Sequence, residues 1–214
     1  MIGRGADGST RKWHAAPRRP GRVASSLLGV LMLIAGPALA CEKQVSEGYH
    51  LTDFAAPPPC DFSDGAVIDA PDLKALIEAG GRPVLIDVTP IPKARQATIN
   101  GYWVVHNTHE NIADSVWLPN VGYGVLDEPM QGYFRTNLDK ATAGDRSRLL
   151  VLYGATGGWM SWNAANRAHD LGYERVAWLS GGMEGWLRHG EPAALAVPEP
   201  LFRSKRIEHA ALNR

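Results

Sequence analysis

Cysteine is nearly absent: 214 residues carry two, Cys41 and Cys60. No CxxC pair and no Cys/His cluster exists, which argues against a structural zinc framework. Net charge is absent as well, with 22 Lys and Arg against 22 Asp and Glu. No apolar run reaches the roughly 20 residues that a bilayer-spanning helix needs, and no internal repeat is visible. The most telling shortage is local. Residues 154–161, Gly-Ala-Thr-Gly-Gly-Trp-Met-Ser, contain no Cys, His, Asp, Glu, Lys or Arg. That stretch therefore offers no thiolate, imidazole or carboxylate for nucleophilic or acid–base chemistry.

The zero net charge hides an asymmetry. Residues 1–22 hold six of the basic side chains (Arg4, Arg11, Lys12, Arg18, Arg19, Arg22) and one acid, Asp7, and the next 18 residues are uncharged. Residues 41–214 keep 16 basic against 21 acidic side chains, a net −5. Such a body has no electrostatic footprint for nucleic acid, so none is expected as a partner. The basic region, the apolar VASSLLGVLMLIAG and the small residues Pro37-Ala38-Leu39-Ala40 make an export signal over residues 1–40. A true anchor is the competing reading. Cleavage after Ala40 leaves Cys41 at the mature terminus. Ordinary cleavage is favoured because Ala38 stands where a lipobox wants Leu; lipidation of Cys41 stays open. An exported chain with two cysteines is most simply read as carrying one disulfide, Cys41–Cys60.

The stretch that organises the chain runs from Leu149 to Tyr173. Leu149–Tyr153 is a short continuous apolar run, the pattern of a strand covered on both faces. Gly154, Gly157 and Gly158 follow in a turn. From about Ser161 the residues Ala164, Ala165, Ala168 and Leu171 recur at helical spacing, and Gly172 sits at a helix end. A strand feeding a helix through such a turn aims backbone N–H groups and the positive end of the helix dipole at one point, a ready anion site. Valine at Gly157 and Gly158 is expected to block that site and leave the sheet folded.

Taken in order, residues 41–66 read as a Pro-rich arm and the compact domain as 67–192. Asp69 caps a helix over PDLKALIEAG, and VLIDV at 84–88 is a strand ending near Asp87. Residues 89–125 read as irregular and functional or partner-facing. Asp127 opens a helix over EPMQGYFRTNLDKAT. A strand at 176–179, the turn Ser180-Gly181-Gly182 and a short helix close the domain, and residues 193–214 read as a loose tail. Strands alternating with helices predict an α/β fold, a central parallel sheet flanked by helices on both faces. Ligands in such sheets sit beyond the carboxyl ends of the strands, where residues 154–160 and Asp87 lie.

Three segments carry a family likeness. PDLKALIEAGGRPVLIDV, the stretch His109–Ser115 with the following Val-Trp-Leu-Pro-Asn, and LGYERVAWLSGGMEGWLRHGEP resemble the opening, middle and close of a rhodanese domain. SVWLPNVGYG and WMSWNAANRAHDLGY further resemble an exported rhodanese subfamily. That subfamily is named for a Cys…Cys-Trp motif and associated with pyrroloquinoline-quinone (PQQ)-dependent alcohol catabolism. The resemblance puts Gly154 at the catalytic Cys position, Gly158 at the second Cys and Trp159 at the Arg that often follows in active loops. Sulfur transfer needs a thiolate, so the resemblance implies a sulfurtransferase homologue with no catalytic residue left in its loop.

The reading that follows is an exported, periplasmic pseudoenzyme. It is expected to bind a small anion or a partner protein at Gly154, Ala155, Thr156, Gly157, Gly158, Trp159, Met160 and Ser161. Asp87, His109 and Trp162 are the pocket candidates. The resemblance points to a quinoprotein dehydrogenase or its cytochrome as partner, and to the membrane only if Cys41 is lipidated. No cofactor and no metal is expected, since His106, His109 and Glu110 in a loop are better read as structural. Two alternatives remain: an active sulfurtransferase that brings Cys60 or Cys41 from the leader, and a redox partner using a Cys41–Cys60 disulfide.

Overall fold

A computed structural model describes residues 48–52, 54, 61–92 and 97–202. The export signal, Cys41, Cys60 and the end of the tail lie outside the described residues. The strands are β1 (Ala66–Ile68), β2 (Val84–Asp87), β3 (Thr98–Ile99), β4 (Tyr102–Trp103), β5 (His109–Ile112), β6 (Val116–Trp117), β7 (Leu150–Tyr153), β8 (Val176–Leu179) and β9 (Ala193–Ala196). The helices are α1 (Ala70–Glu78), α2 (Glu128–Thr142), α3 (Trp159–Asp170) and α4 (Gly182–Arg188). Five strands make one parallel sheet in the order β1-β8-β7-β2-β6. Among the described residues, no helix is long and apolar enough to cross a membrane.

The predicted α/β architecture is the observed one, and the strand alternation explains it. Val84, Ile86, Leu150, Leu152, Val176 and Trp178 face α2 and α3, packing with Phe134, Leu138, Ala164 and Ala168. Leu85, Val151, Tyr153, Ala177 and Leu179 face the other way, toward Leu73 of α1 and Met183 and Trp186 of α4. All four residues of β7 have no exposed surface, as a strand covered on both sides requires. Each such buried Leu or Val stabilises the fold by about 1.5–3 kcal/mol. The capping at Asp69 is confirmed: its carboxylate accepts from the Asp72 N–H while the Asp72 carboxylate accepts from the Asp69 N–H.

Two expectations change. Residues 89–125, read as irregular, contain four short strands. Asn100 and Gly101, with φ of 53° and 88°, form the two-residue turn of the β3–β4 hairpin. An Asn-Gly pair is the usual signature of that turn, so the signal was present in the sequence. The second change is at the tail. Residues 193–202 are not loose: β9 pairs antiparallel with β5. Beyond it, the Glu199 carbonyl accepts from Trp103 Nε1 and the Tyr133 hydroxyl, and Leu201 N–H donates to Gly101. Ala-Ala-Leu-Ala has little strand propensity of its own; these tertiary partners supply its order.

Candidate functional site

The turn after β7 sits at the carboxyl edge of the sheet, as expected, and α3 starts two residues before Ser161, at Trp159, with Gly158 as its N-cap. The cap has no side-chain hydrogen bond. None of Gly154, Gly157 and Gly158 has a positive φ, so the turn does not need glycine for its dihedrals. It needs one for space. A Cβ on Gly157 would stand 1.2 Å from the Ser180 carbonyl oxygen. Gly182, at φ 55°, is also pressed against backbone, its Cβ position 2.5 Å from the Gly154 oxygen. The 154–158 turn and the Ser180–Gly182 turn are thus stacked backbone on backbone. The carbonyls of Gly154 and Ala155 accept from Met183 and Glu184 at 2.8 and 2.9 Å, tying the turn to the start of α4.

That packing overturns one expectation. Valine at Gly157 would collide with backbone and cannot leave the fold intact, whereas positions 154 and 158 have room. A Cβ at Gly154 would meet nothing closer than the Thr156 oxygen at 3.6 Å, and one at Gly158 nothing closer than Thr156 Oγ1 at 3.5 Å.

The side chains of Trp159, Ser161 and Trp162 are buried in the protein. Ser161 is fully buried, donating to the Gly158 carbonyl and accepting from Trp178 Nε1 at 3.0 Å. Trp159 is 1% exposed, and its Nε1 has no hydrogen-bond partner among the described residues. Trp162 is also buried and donates to the Asp61 carbonyl. Both indoles, the loop residue Trp159 and the pocket candidate Trp162, are thus core elements.

What covers them was missed. Of the segment read as an arm, Tyr49 and His50 lie against α3. The His50 ring stacks on Trp159 at 4.0 Å with planes 8° apart. His50 N–H donates to Asn163 Oδ1, and Asn163 Nδ2 donates back to the His50 carbonyl. Tyr49 donates to Asp170 and lies under the Arg167 guanidinium, 4.2 Å from it. Burial and the Asp170 hydrogen bond push the Tyr49 phenol up to about 12. On the other side Arg167 donates to the carbonyls of Val121, Tyr123 and Gly124. Asn163 and Arg167, each serving several backbone carbonyls, therefore clamp the arm and the 118–124 loop onto α3. A helix with two buried polar side chains four residues apart is the one sequence signal that could have found them.

Asp87 and His109 come together apart from the turn. Asp87 is fully buried; one carboxylate oxygen lies 2.6 Å from His109 Nε2 and the other accepts from Thr89 N–H. His109 lies against Trp117 and lines a cavity of 150 Å³ with His106, Thr89 and Trp117. Tyr153, opposite Asp87 in register, donates to Ser115 Oγ and accepts from Ile112 N–H. Burial first, and the Asp87 charge second, push its phenol far up. Among the described residues no group of three His, Cys, Asp or Glu could hold a metal ion.

A parallel α/β sheet whose central strand turns through 154–158 into a helix defines a class, and comparison supplies the family. The Rhodanese-like domain model matches residues 69–189, more than half of the sequence, and the chain belongs to that family. No curated protein matches it. Among solved structures, it is similar to the rhodanese-like domain of the Alr3790 protein from Anabaena sp., at 22% identity and TM-score 0.39, covering 59% of this chain and 76% of that one. It is also similar to a thiosulfate sulfurtransferase from Pseudomonas aeruginosa, at 16% identity and TM-score 0.44, with 70% of this chain matched but only 24% of that one. A third, the polysulfide-sulfur transferase homodimer from Wolinella succinogenes, is 17% identical, with TM-score 0.41 and 62% and 80% coverage.

Proposed function

We propose that this chain is an exported rhodanese-like domain that has given up sulfur transfer at its central turn and serves as a binding module. The observation that carries this is at position 154. The resemblance places the family's nucleophile there, and the site has room for a Cβ, with no atom closer than 3.6 Å, yet a glycine occupies it. The loss is chemical and not steric. Thr156 and Ser161 do not substitute, since a persulfide requires sulfur and the Ser161 hydroxyl is engaged with Gly158 and Trp178.

The turn keeps its shape because Ser180–Gly182 holds it, and the N–H groups at the start of α3 remain the attractive element for a carboxylate or small anion. The subfamily likeness favours a periplasmic quinoprotein alcohol dehydrogenase, or its cytochrome, as the partner. The activity test uses the mature protein with thiosulfate and cyanide. Turnover at background level is expected, and Gly154→Cys is expected to take up a persulfide detectable by intact mass. Turnover in the unaltered protein that disappears with Cys60→Ser would overturn the reading in favour of a leader cysteine.

A further inference from the structure

The opposite, amino-terminal edge of the sheet carries a second feature that the family likeness does not touch. Arg82 and Arg148 each stand two residues before a strand, β2 and β7, and Arg175 stands one residue before β8. Those three strands are neighbours, with Val84 opposite Leu150 and Leu150 opposite Val176. The parallel register therefore sets Arg82 opposite Arg148, and Arg148 opposite Glu174 with Arg175 next along the chain, although positions 82 and 175 lie 93 apart in sequence. Adjacent strands are about 4.8 Å apart, within the span of a guanidinium side chain.

The three arginines line one cavity of 310 Å³ together with Leu76, Ser147 and Pro83, and no acidic residue lines it. Arg148 is held in place, donating from Nη1 to the Ala141 carbonyl at 3.1 Å and from Nη2 to the Arg82 carbonyl at 3.4 Å. Neither Arg82, Arg148 nor Arg175 has a salt bridge among the described residues. Elsewhere, Lys74, Lys140, Arg146 and Arg188 are paired with carboxylates. The nearby Asp145 is occupied by Ser147, whose N–H and hydroxyl both donate to it. An otherwise acidic body thus gathers three guanidiniums without salt bridges around one concavity, with the Asp145 charge acting on Arg148 alone.

We propose that this cavity binds a compact polyanion with two or more adjacent phosphoryl groups. Guanidinium forks match phosphoryl oxygens two at a time, and a fixed Arg148 between two free neighbours presents more than one fork at once. The volume lies at the small end of the range for ligand pockets, which suits a chain of phosphates better than a bulky organic ligand.

The test is calorimetric titration of the full chain with tripolyphosphate, pyrophosphate and orthophosphate in 50 and 200 mM salt. One-to-one saturable binding of tripolyphosphate is expected, about 10-fold or more tighter than orthophosphate and weakened by salt. Arg82→Ala with Arg175→Ala should weaken it by about 30-fold or more, and the corresponding Lys pair by less, since it keeps charge but loses the fork. Arg135→Ala, on a different cavity, should leave affinity unchanged. Thermal melts confirm that each variant is folded, and the Lys pair carries the comparison should the Ala pair not fold. Sedimentation with vesicles bearing phosphomonoester headgroups separates a lipid source from a soluble one: loss of vesicle binding in the Ala pair assigns the headgroup. Absence of saturable binding, equal affinity for orthophosphate (an adventitious ion only), or unchanged affinity in the Ala pair overturns the proposal.

Discussion

The two edges of the sheet are built on opposite terms. At the carboxyl edge, residues 154–161 carry no charged side chain, and their backbone is pressed against Ser180–Gly182, with the His50 ring stacked on Trp159. At the amino edge the backbone is ordinary, and the exposed side chains of Arg82 and Arg175 with the half-buried Arg148 provide the character of the site. The difference teaches that a loop without reactive side chains can still be the less replaceable part. Its shape is set where Gly157 and Gly182 bring backbone against backbone, and those two positions tolerate substitution poorly.

Neighbouring glycines give the sharpest way to break this comparison. Gly157→Ala should cost about 3 kcal/mol or more, because its Cβ would stand 1.2 Å from a carbonyl oxygen. Gly158→Ala, with nothing within 3.4 Å of its Cβ, should change stability by less than about 0.5 kcal/mol. Urea unfolding measures both, and equal effects would show that the turn is not held by the Ser180 contact. The Asp87–His109 pair comes next. Asp87→Ala removes the partner of His109 and the acceptor of Thr89 N–H, and should cost about 1–3 kcal/mol, read in the same way. Tyr153→Phe leaves Ser115 and Ile112 without their buried partner, for a loss of about 1–2 kcal/mol.

The smallest effect concerns the arm. The Tyr49 phenol ionises in the folded protein only near 12, above the ordinary 10.0. Its raised pKa gives a stabilising contribution that is intact below pH 10 and lost as the pH rises toward 12. Ionisation would set a phenolate against the Asp170 carboxylate. Alkaline titration of the folded protein should therefore show a tyrosine step near pH 12 accompanied by loss of the His50–Trp159 stack. Tyr49→Phe should remove that step, and Trp159 fluorescence follows it.

Much of the fold was legible because it rests on local rules. The buried run Leu150–Tyr153, the Asp69 and Asp127 caps, and the glycines that end α1, α3 and α4 are written within a few residues of where they act. The Asn100-Gly101 hairpin was equally local and could have been read. Strand β9 could not, since Ala193–Ala196 orders only against β5. The candidate site divides along the same line. Sequence alone placed the thiol-free turn at the end of the central strand and marked Asp87 and His109 as residues of interest. Only the tertiary structure decided that these two pair with each other, that Trp159 and Trp162 face the core, and that the arm lies over them. It alone decided that Gly157 is fixed by a carbonyl 23 residues away in the chain, and that three arginines scattered from 82 to 175 converge. Local propensity encodes how a segment begins and ends; which distant segment it meets is set by packing and register.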